Sequence, residues 1–303
     1  MNLCQPFGCI SFCAQAATRI GDTMKQKNDR MGMTMTATKE QLLDLGGKSA
    51  LVTGASQGIG MAAAQRLALC GADVLMASRR LDAVTAAAAE IDALAPGRVS
   101  GAAADIARAE DIGRLYEHVD TALGGLDLLV ISGGGPRSAS FSELGDADWQ
   151  TAFDLLLMST VRLIRHAVPR MQARGGGRIV VVLSSGVKQP IPGLMLSNSL
   201  RAAVTGLIQT LSVELARDNI LINGALPGRI DTERVASLDQ LNAGRQRLPV
   251  EEVRRRSQQS IPLGRYGQPH EMADAILFLC SPMATYVTGS LLEIDGGMVR
   301  TLL

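Results

Sequence analysis

From Lys48 onward, short runs of consecutive apolar residues alternate with longer stretches whose apolar positions recur every three or four residues. The runs are SALVTG (49–54), DVLMAS (73–78), RVSGAAAD (98–105), LDLLVIS (126–132), GRIVVVLSS (177–185), ILINGALPG (220–228) and SLLEIDGG (290–297). Continuous apolar strands separated by helical spacing imply a parallel sheet covered on both faces, since only such a sheet buries both sides of each strand. The pattern therefore predicts a single doubly wound α/β domain with seven parallel strands. Within it, the long helical stretch DWQTAFDLLLMSTVRLIRHAVPRMQARGGG contains Pro169, which predicts a kink or break there. In the helix after Ser197, Leu200, Val204, Leu207, Leu211 and Leu215 recur at helical spacing and predict one buried stripe.

Composition narrows the class. The chain has 303 residues, 47% of them hydrophobic, enough for one large core. A formal charge of +1 offers no electrostatic footing for nucleic acid or an anionic membrane surface. No apolar run reaches the roughly 20 residues needed to span a bilayer. Of the five cysteines, Cys4, Cys9 and Cys13 crowd the start, while Cys70 and Cys280 lie in apolar helical stretches and read as small buried hydrophobes. Neither a disulfide framework nor a metal-ligand spacing is present, so the expectation is a reduced, cytoplasmic protein without a metal.

The stretch TGASQGIG, Thr53 to Gly60, joins the first strand to its helix. A glycine-rich turn at that junction lets the backbone approach a pyrophosphate, which then rests on the positive end of the helix. Gly54, Ser56, Gln57, Gly58, Ile59 and Gly60 are the residues of that cradle. At the end of the second strand stand Ser78, Arg79 and Arg80, with no carboxylate before Asp82. An acidic residue there would favour NAD, whereas a guanidinium such as that of Arg79 suits the 2′-phosphate of NADP. NADP is therefore favoured over NAD.

These landmarks resemble the short-chain dehydrogenase/reductase family, whose fingerprint is Thr-Gly, three residues, Gly-x-Gly; the family fold is a Rossmann-type domain. The resemblance runs from about Gly47 to Met298 and is closest in character to the 3-oxoacyl-acyl-carrier-protein reductases. It implies that Asp105, with Ile106, meets the adenine, and that Ser132 and Gly133 follow the fourth strand along the dinucleotide. Pro227, Gly228, Ile230 and Thr232 in LPGRIDT would fold over the nicotinamide. It also implies a small-molecule or acyl-carrier-linked carbonyl substrate and a homodimer or homotetramer, with which the apolar FDLLLM and GSLLEI are compatible.

Three places depart from the family pattern. ISGG (131–134) replaces Asn-Asn-Ala-Gly, Leu156 occupies the place of an asparagine that orders a relay water, and Ser197-x-x-x-Arg201 replaces Tyr-x-x-x-Lys. The family's serine after the fifth strand corresponds to Ser185 by its neighbours, or to Ser184 by its 13-residue distance from Ser197. Reduction of a carbonyl needs a proton from an acid with a pKa near working pH. Serine is too weak an acid, and arginine stays protonated. Losing a general acid is worth a factor of about 10² to 10⁴ in rate. Tyr116, Tyr266 and Tyr286 lie elsewhere in the sequence, and the helical His118, His166 and His270 read as surface or packing residues. Lys188, in the loop SSGVKQPIPG, is the substitute proton source the sequence offers. Ser197 also fits a plain helix cap. Ser197 and Arg201, four apart, share one helix face. Two readings follow: an oxidoreductase in which Ser185 and Ser197 bond the substrate oxygen, Lys188 gives the proton and Arg201 anchors the nicotinamide ribose, or a catalytically silent nucleotide-binding sensor or assembly subunit.

Residues 1–46 read as a poorly structured extension ahead of a domain at 47–303. CISFCAQAA imitates a secretory core, but no Lys or Arg precedes it, so it is not read as a signal peptide. Met24, Met31, Met33 and Met35 lie between it and the first strand, and translation is expected to begin at one of them, Met35 leading directly into the domain. Intact mass of the protein made from its native locus tests this; a mass matching residues 1–303 would rule it out.

Overall fold

The structure, a computed structural model, describes residues 42–301; the alternative starts and the expected extension before residue 42 lie outside the described residues, while Leu45, within the stretch read as extension, is buried in the core and donates its amide to the Cys70 carbonyl at 2.8 Å. Seven strands form one parallel sheet in the order β3-β2-β1-β4-β5-β6-β7. They are β1 (Ser49–Thr53), β2 (Asp73–Ser78), β3 (Val99–Ala103), β4 (Leu128–Ile131), β5 (Gly177–Val182), β6 (Ile220–Pro227) and β7 (Leu291–Ile294). Every one falls inside an apolar run of the sequence.

Both faces of the sheet are covered, and side-chain alternation divides each strand between two cores. Ala50 and Val52 of β1 and Val74 and Met76 of β2 face α1 (Gly58–Leu69), α2 (Leu81–Asp92) and the late helix Pro269–Cys280. Leu51, Leu75, Leu129 and Val181 face α3 (Ala109–Leu123), α5 (Ser159–Ala173) and α6 (Met195–Glu214). The intervening α4 spans Asp146–Phe153, and the later helices are α7 (Glu233–Gln246), α8 (Val250–Gln259) and α9 (Pro269–Cys280). Burial of each such Val, Leu or Ile contributes about 1.5–3 kcal/mol, which is why the strands need no alternation of polar residues.

Two helical expectations are corrected. The helix continues through Pro169 to Ala173, and the irregularity lies earlier, where Asp154–Met158 forms a wide π-helical turn between α4 and α5. In α6 Val204 and, at its C-cap, Leu215 of the expected stripe are buried, with Leu196 and Ile208 beside them; Leu200, Leu207 and Leu211 are only half-buried, Leu207 and Leu211 packed against the same core. Cys280 is buried, which pushes its thiol up to about 12, and Cys70 is half-buried and shifted in the same direction by burial. No described helix is long and apolar enough to cross a membrane.

At the amino end of the sheet, Asp127 ties three segments together. Its carboxylate accepts from the Ser49 amide at 3.0 Å, Arg174 Nη2 at 2.9 Å and Lys48 Nζ at 3.2 Å. Burial opposes the charge, yet these donors together hold the carboxyl below its ordinary range. Asp127→Ala is expected to cost about 1–3 kcal/mol, because it strands a buried amide and a guanidinium. The check is a urea titration with a lower midpoint and unchanged slope. A folded pKa lowered below the unfolded value of about 3.9 stabilises above that pH and ceases to as pH falls through the folded value, so the deficit should shrink in acid.

Candidate active site

Parallel strands joined by right-handed crossovers all end on one side, and the strand order reverses between β1 and β4. The crevice at that reversal is held by a reciprocal pair: Thr53 Oγ1 donates to the Ser132 carbonyl at 2.7 Å and accepts from the Ser132 amide at 3.1 Å. Gly54 has φ +59° there, and a methyl group on it would come within 2.6 Å of that carbonyl. Only glycine fits such an approach in that conformation. At Gly60 a methyl would likewise strike the Gly54 carbonyl, so helix α1 starts hard against the turn.

The first turn of α1 is left open. Gln57 stands at its cap with no side-chain bond to the free amides, and its own amide group donates instead to Glu233 at 2.9 Å. Unsatisfied amides at a helix start are what a phosphate uses. Ser56 bonds Ser78 at 3.1 Å, linking the turn to the end of β2, where the guanidinium groups of Arg79 and Arg80 are exposed and form no ion pair among the described residues. Ile106 lies against Gly133, whose missing side chain makes room for it. Asp105 uses one carboxylate oxygen to hold its own turn through the Ala107 amide at 3.1 Å. Thr232 caps α7 and lies against Gly58, so the start of α7 closes over the glycine-rich turn. Pro227 and Gly228 line the adjoining cavity, and Ile230 is buried behind them. The residues present therefore fit a dinucleotide from adenine to nicotinamide.

The reacting end is different. Helix α6 begins at Met195 with Leu194 as its cap, so Ser197 lies inside the first turn and is no cap. Its Oγ accepts from Arg201 Nε at 3.3 Å, and Arg201 Nη1 donates to the Val182 carbonyl at 2.9 Å. No carboxylate pairs with Arg201 among the described residues. Burial pushes its guanidinium down to about 10, with the nearby Arg234 charge adding to the effect. It is cationic at neutral pH all the same. A small cavity of about 20 Å³ adjoins it, between Gly133 and the π-turn residues Leu155 and Leu156. That is room for about one water. Leu156 cannot order a chain of them.

A larger cavity of about 120 Å³ opens where β5 and β6 end. Both Ser184 and Ser185 line it. Ser184 Oγ accepts from the Gly186 amide at 3.0 Å, which leaves its hydrogen free to donate. Ser185 is 2% exposed and its hydroxyl has no partner. Lys188 ends the short turn after these serines and lines neither cavity, so the geometry does not bring it to Ser197 or Arg201. Ser197 also lines neither; it is turned to Arg201. Tyr116 is buried with its hydroxyl on the Leu163 carbonyl, and Tyr266 is buried on Asp239, both phenols shifted up by burial; Tyr286 is fully exposed. His166 stacks on Tyr116. No tyrosine, histidine, lysine or carboxylate lines the larger cavity.

The family model described as enoyl-(acyl carrier protein) reductase matches residues 54–299. The chain belongs to the short-chain dehydrogenase/reductase family. It is 31% identical to 3-oxoacyl-[acyl-carrier-protein] reductase of Aquifex aeolicus over 84% of this chain and 99% of that protein. It is 32% identical to 7α-hydroxysteroid dehydrogenase of Escherichia coli, over 86% of this chain and 97% of that one. Among solved structures, L-sorbose reductase from Gluconobacter frateurii, complexed with NADPH and L-sorbose, matches with a TM-score of 0.82 and 34% identity, covering 86% of this chain and all of that one. A 7α-hydroxysteroid dehydrogenase complexed with NADH matches with a TM-score of 0.80 and 31% identity, covering 88% of this chain and all of that one. The neighbours thus include NADPH and NADH complexes.

Arg201 carries a desolvated charge without a counterion, so Arg201→Met is expected to raise stability by about 1 kcal/mol, or roughly 2–4 °C in Tm. Thermal unfolding of the two proteins checks this; a fall in Tm would mean that its bonds to Ser197 and Val182 outweigh desolvation.

Proposed function

We propose that the protein is an NADP(H)-dependent oxidoreductase that reduces a 3-oxoacyl-type carbonyl compound at a non-standard site. The observation that carries this is the pairing of an open dinucleotide cradle with an unpaired Arg201 beside the small cavity next to Gly133. The dinucleotide supplies hydride when bound. Gly54 to Gly60 would hold its pyrophosphate, Asp105 and Ile106 its adenine, Arg79 its 2′-phosphate, and Arg201 its nicotinamide ribose. Ser184, with its lone pair engaged by Gly186 and its hydrogen free, is the hydroxyl best placed to donate to the substrate oxygen. Ser197 is a positioning residue that fixes the Arg201 guanidinium.

Stabilisation of the developing oxyanion then comes from fixed donors and a nearby cation rather than from a protein acid. The final proton comes from water, and turnover is slower than with a general acid by about 10²–10⁴. A homodimer or homotetramer belongs to the same proposal. The edge strand β7 is half-covered, and Phe153, Leu155 and Leu157 present apolar surface around the π turn. One observation favours the second reading, a silent nucleotide-binding subunit: no group titrating near neutral pH lines the cavity.

Titration with NADPH and NADH separates these readings. NADPH is expected to bind at micromolar Kd and more tightly than NADH, and Arg79→Ala to erase about 10- to 100-fold of that preference, the value of a charge-assisted bond. NADPH oxidation with 3-oxoacyl substrates supports the enzyme; binding without any oxidation supports the silent subunit. Failure of both cofactors to bind up to millimolar would end both readings. Lys188→Met is expected to leave the rate near that of the parent.

A further inference from the structure

Cavity charge says something about what enters. The walls are largely apolar, from Ile191, Leu194, Leu238, Leu241 and Met298, and among the polar side chains that line them are the two serines, Asn242 and Arg245. Arg229 also lines the cavity, but Asp239 neutralises it at 2.8 Å. Arg245 forms no ion pair among the described residues. Its Nη2 donates to the Ser138 carbonyl at 3.0 Å. Arg234, in the first turn of the same helix, reaches Ser138 from the other side, with Nη2 3.0 Å from the Pro136 carbonyl and 3.4 Å from Ser138 Oγ. It too has no carboxylate partner among the described residues. Glu143, the acid that feels the Arg245 charge, is occupied by the Ser140 amide at 2.7 Å and the Ser140 hydroxyl.

The loops opposite are cut back to admit these side chains. A methyl group on Gly135 would come within 2.5 Å of Arg234 Nη2, and one on Gly193 within 2.8 Å of Arg245 Nη1. Arginines 11 positions apart lie on one helix face, three turns from each other. Both are directed at one serine and both are exposed, which leaves two unpaired cations side by side at the rim of the cavity for an anion to meet. Guanidinium groups suit a carboxylate in two-pronged geometry.

Resting on the oxidoreductase reading, we infer that the substrate is a small free oxo acid, its carboxylate held by Arg245 and Asn242 with Arg234 behind, and its carbonyl directed to Ser184. The cavity of about 120 Å³ is smaller than the roughly 150 Å³ that holds benzene's six carbons, so it encloses a chain of at most about five carbons, with the carboxylate at the exposed Arg245 rim.

The test uses the full chain saturated with NADP+ and two probes of equal shape, hexanoate and hexanamide, followed by calorimetry. Hexanoate is expected to bind at least tenfold more tightly. Arg245→Met and Arg234→Met should each weaken hexanoate about tenfold while leaving the NADPH Kd unchanged, and Arg245→Lys should recover part of the loss. Thermal unfolding of each variant shows whether it is folded. Equal binding of the two probes, or variants that bind hexanoate as the parent does, would overturn the inference. Loss of NADPH affinity in place of hexanoate affinity would assign these cations to the dinucleotide and overturn it equally. Repeating the titration without dinucleotide keeps the two questions apart: hexanoate selectivity there supports the anion site even where cofactor binding fails.

Discussion

Two adjacent parallel strands whose connections leave in opposite directions cannot both be covered at their carboxyl ends. In this protein the strands are β1 and β4, and the glycine-rich turn, the start of α1 and Ser132 are arranged around the gap between them, with the larger cavity further along where β5 and β6 end. The reciprocal bond of Thr53 with Ser132 holds the gap at a fixed width. The glycine-rich turn can then follow β1 without a side chain at Gly54, and α1 can begin with its amides uncovered. Helix α7 closes the far side, through Thr232 against Gly58 and Gln57 bonded to Glu233. The parts most removed from that gap, such as the Asp127 junction, serve stability alone.

Charge is distributed unevenly about this gap. Surface arginines are mostly paired: Arg265 with Glu271, Arg254 with Asp231, Arg170 with Asp120. Beside the smaller cavity Arg201, and near the larger one Arg234 and Arg245, rest instead on carbonyl and hydroxyl oxygens, while Arg229 of the larger cavity is paired with Asp239. A carbonyl dipole solvates a guanidinium without neutralising it, so the site keeps a positive potential that a carboxylate would cancel. The loss of a titratable acid and the gain of uncompensated cations occur in one place. A site so built lowers the energy of negative charge on a ligand but has no proton of its own to deliver.

Much of this was legible in the sequence. Continuous apolar strands announce a sheet buried on both faces, and TGASQGIG after the first of them places a glycine-rich turn at that strand's end. The errors share a physical origin. A proline predicts a kink because it removes one amide, but α5 absorbs Pro169 near its end, where few further bonds depend on it. The leucine spacing of α6 predicts one buried stripe, yet burial follows the neighbours a face meets: Val204, Ile208 and Leu215 are buried in the sheet-facing core, while Leu207 and Leu211 pack only partly against it. Lys188 was placed by loop proximity, and a loop does not state which way its side chains face. Nothing in the spacing of the α7 arginines shows that their guanidinium groups converge on Ser138.

The sequence by itself determined the fold, the glycine-rich turn after β1 and the absence of the Tyr-x-x-x-Lys pair, because these depend on local periodicity, turn chemistry and residue identity at set positions. Only the tertiary structure decided that Ser184 has a free hydroxyl hydrogen while Ser185 is buried without a partner, that Ser197 serves Arg201, and that Arg234 and Arg245 lack counterions. Those are properties of distances between segments far apart in the chain. Hydrogen-bond partnership and desolvation are set by which segments meet, and no local pattern encodes them.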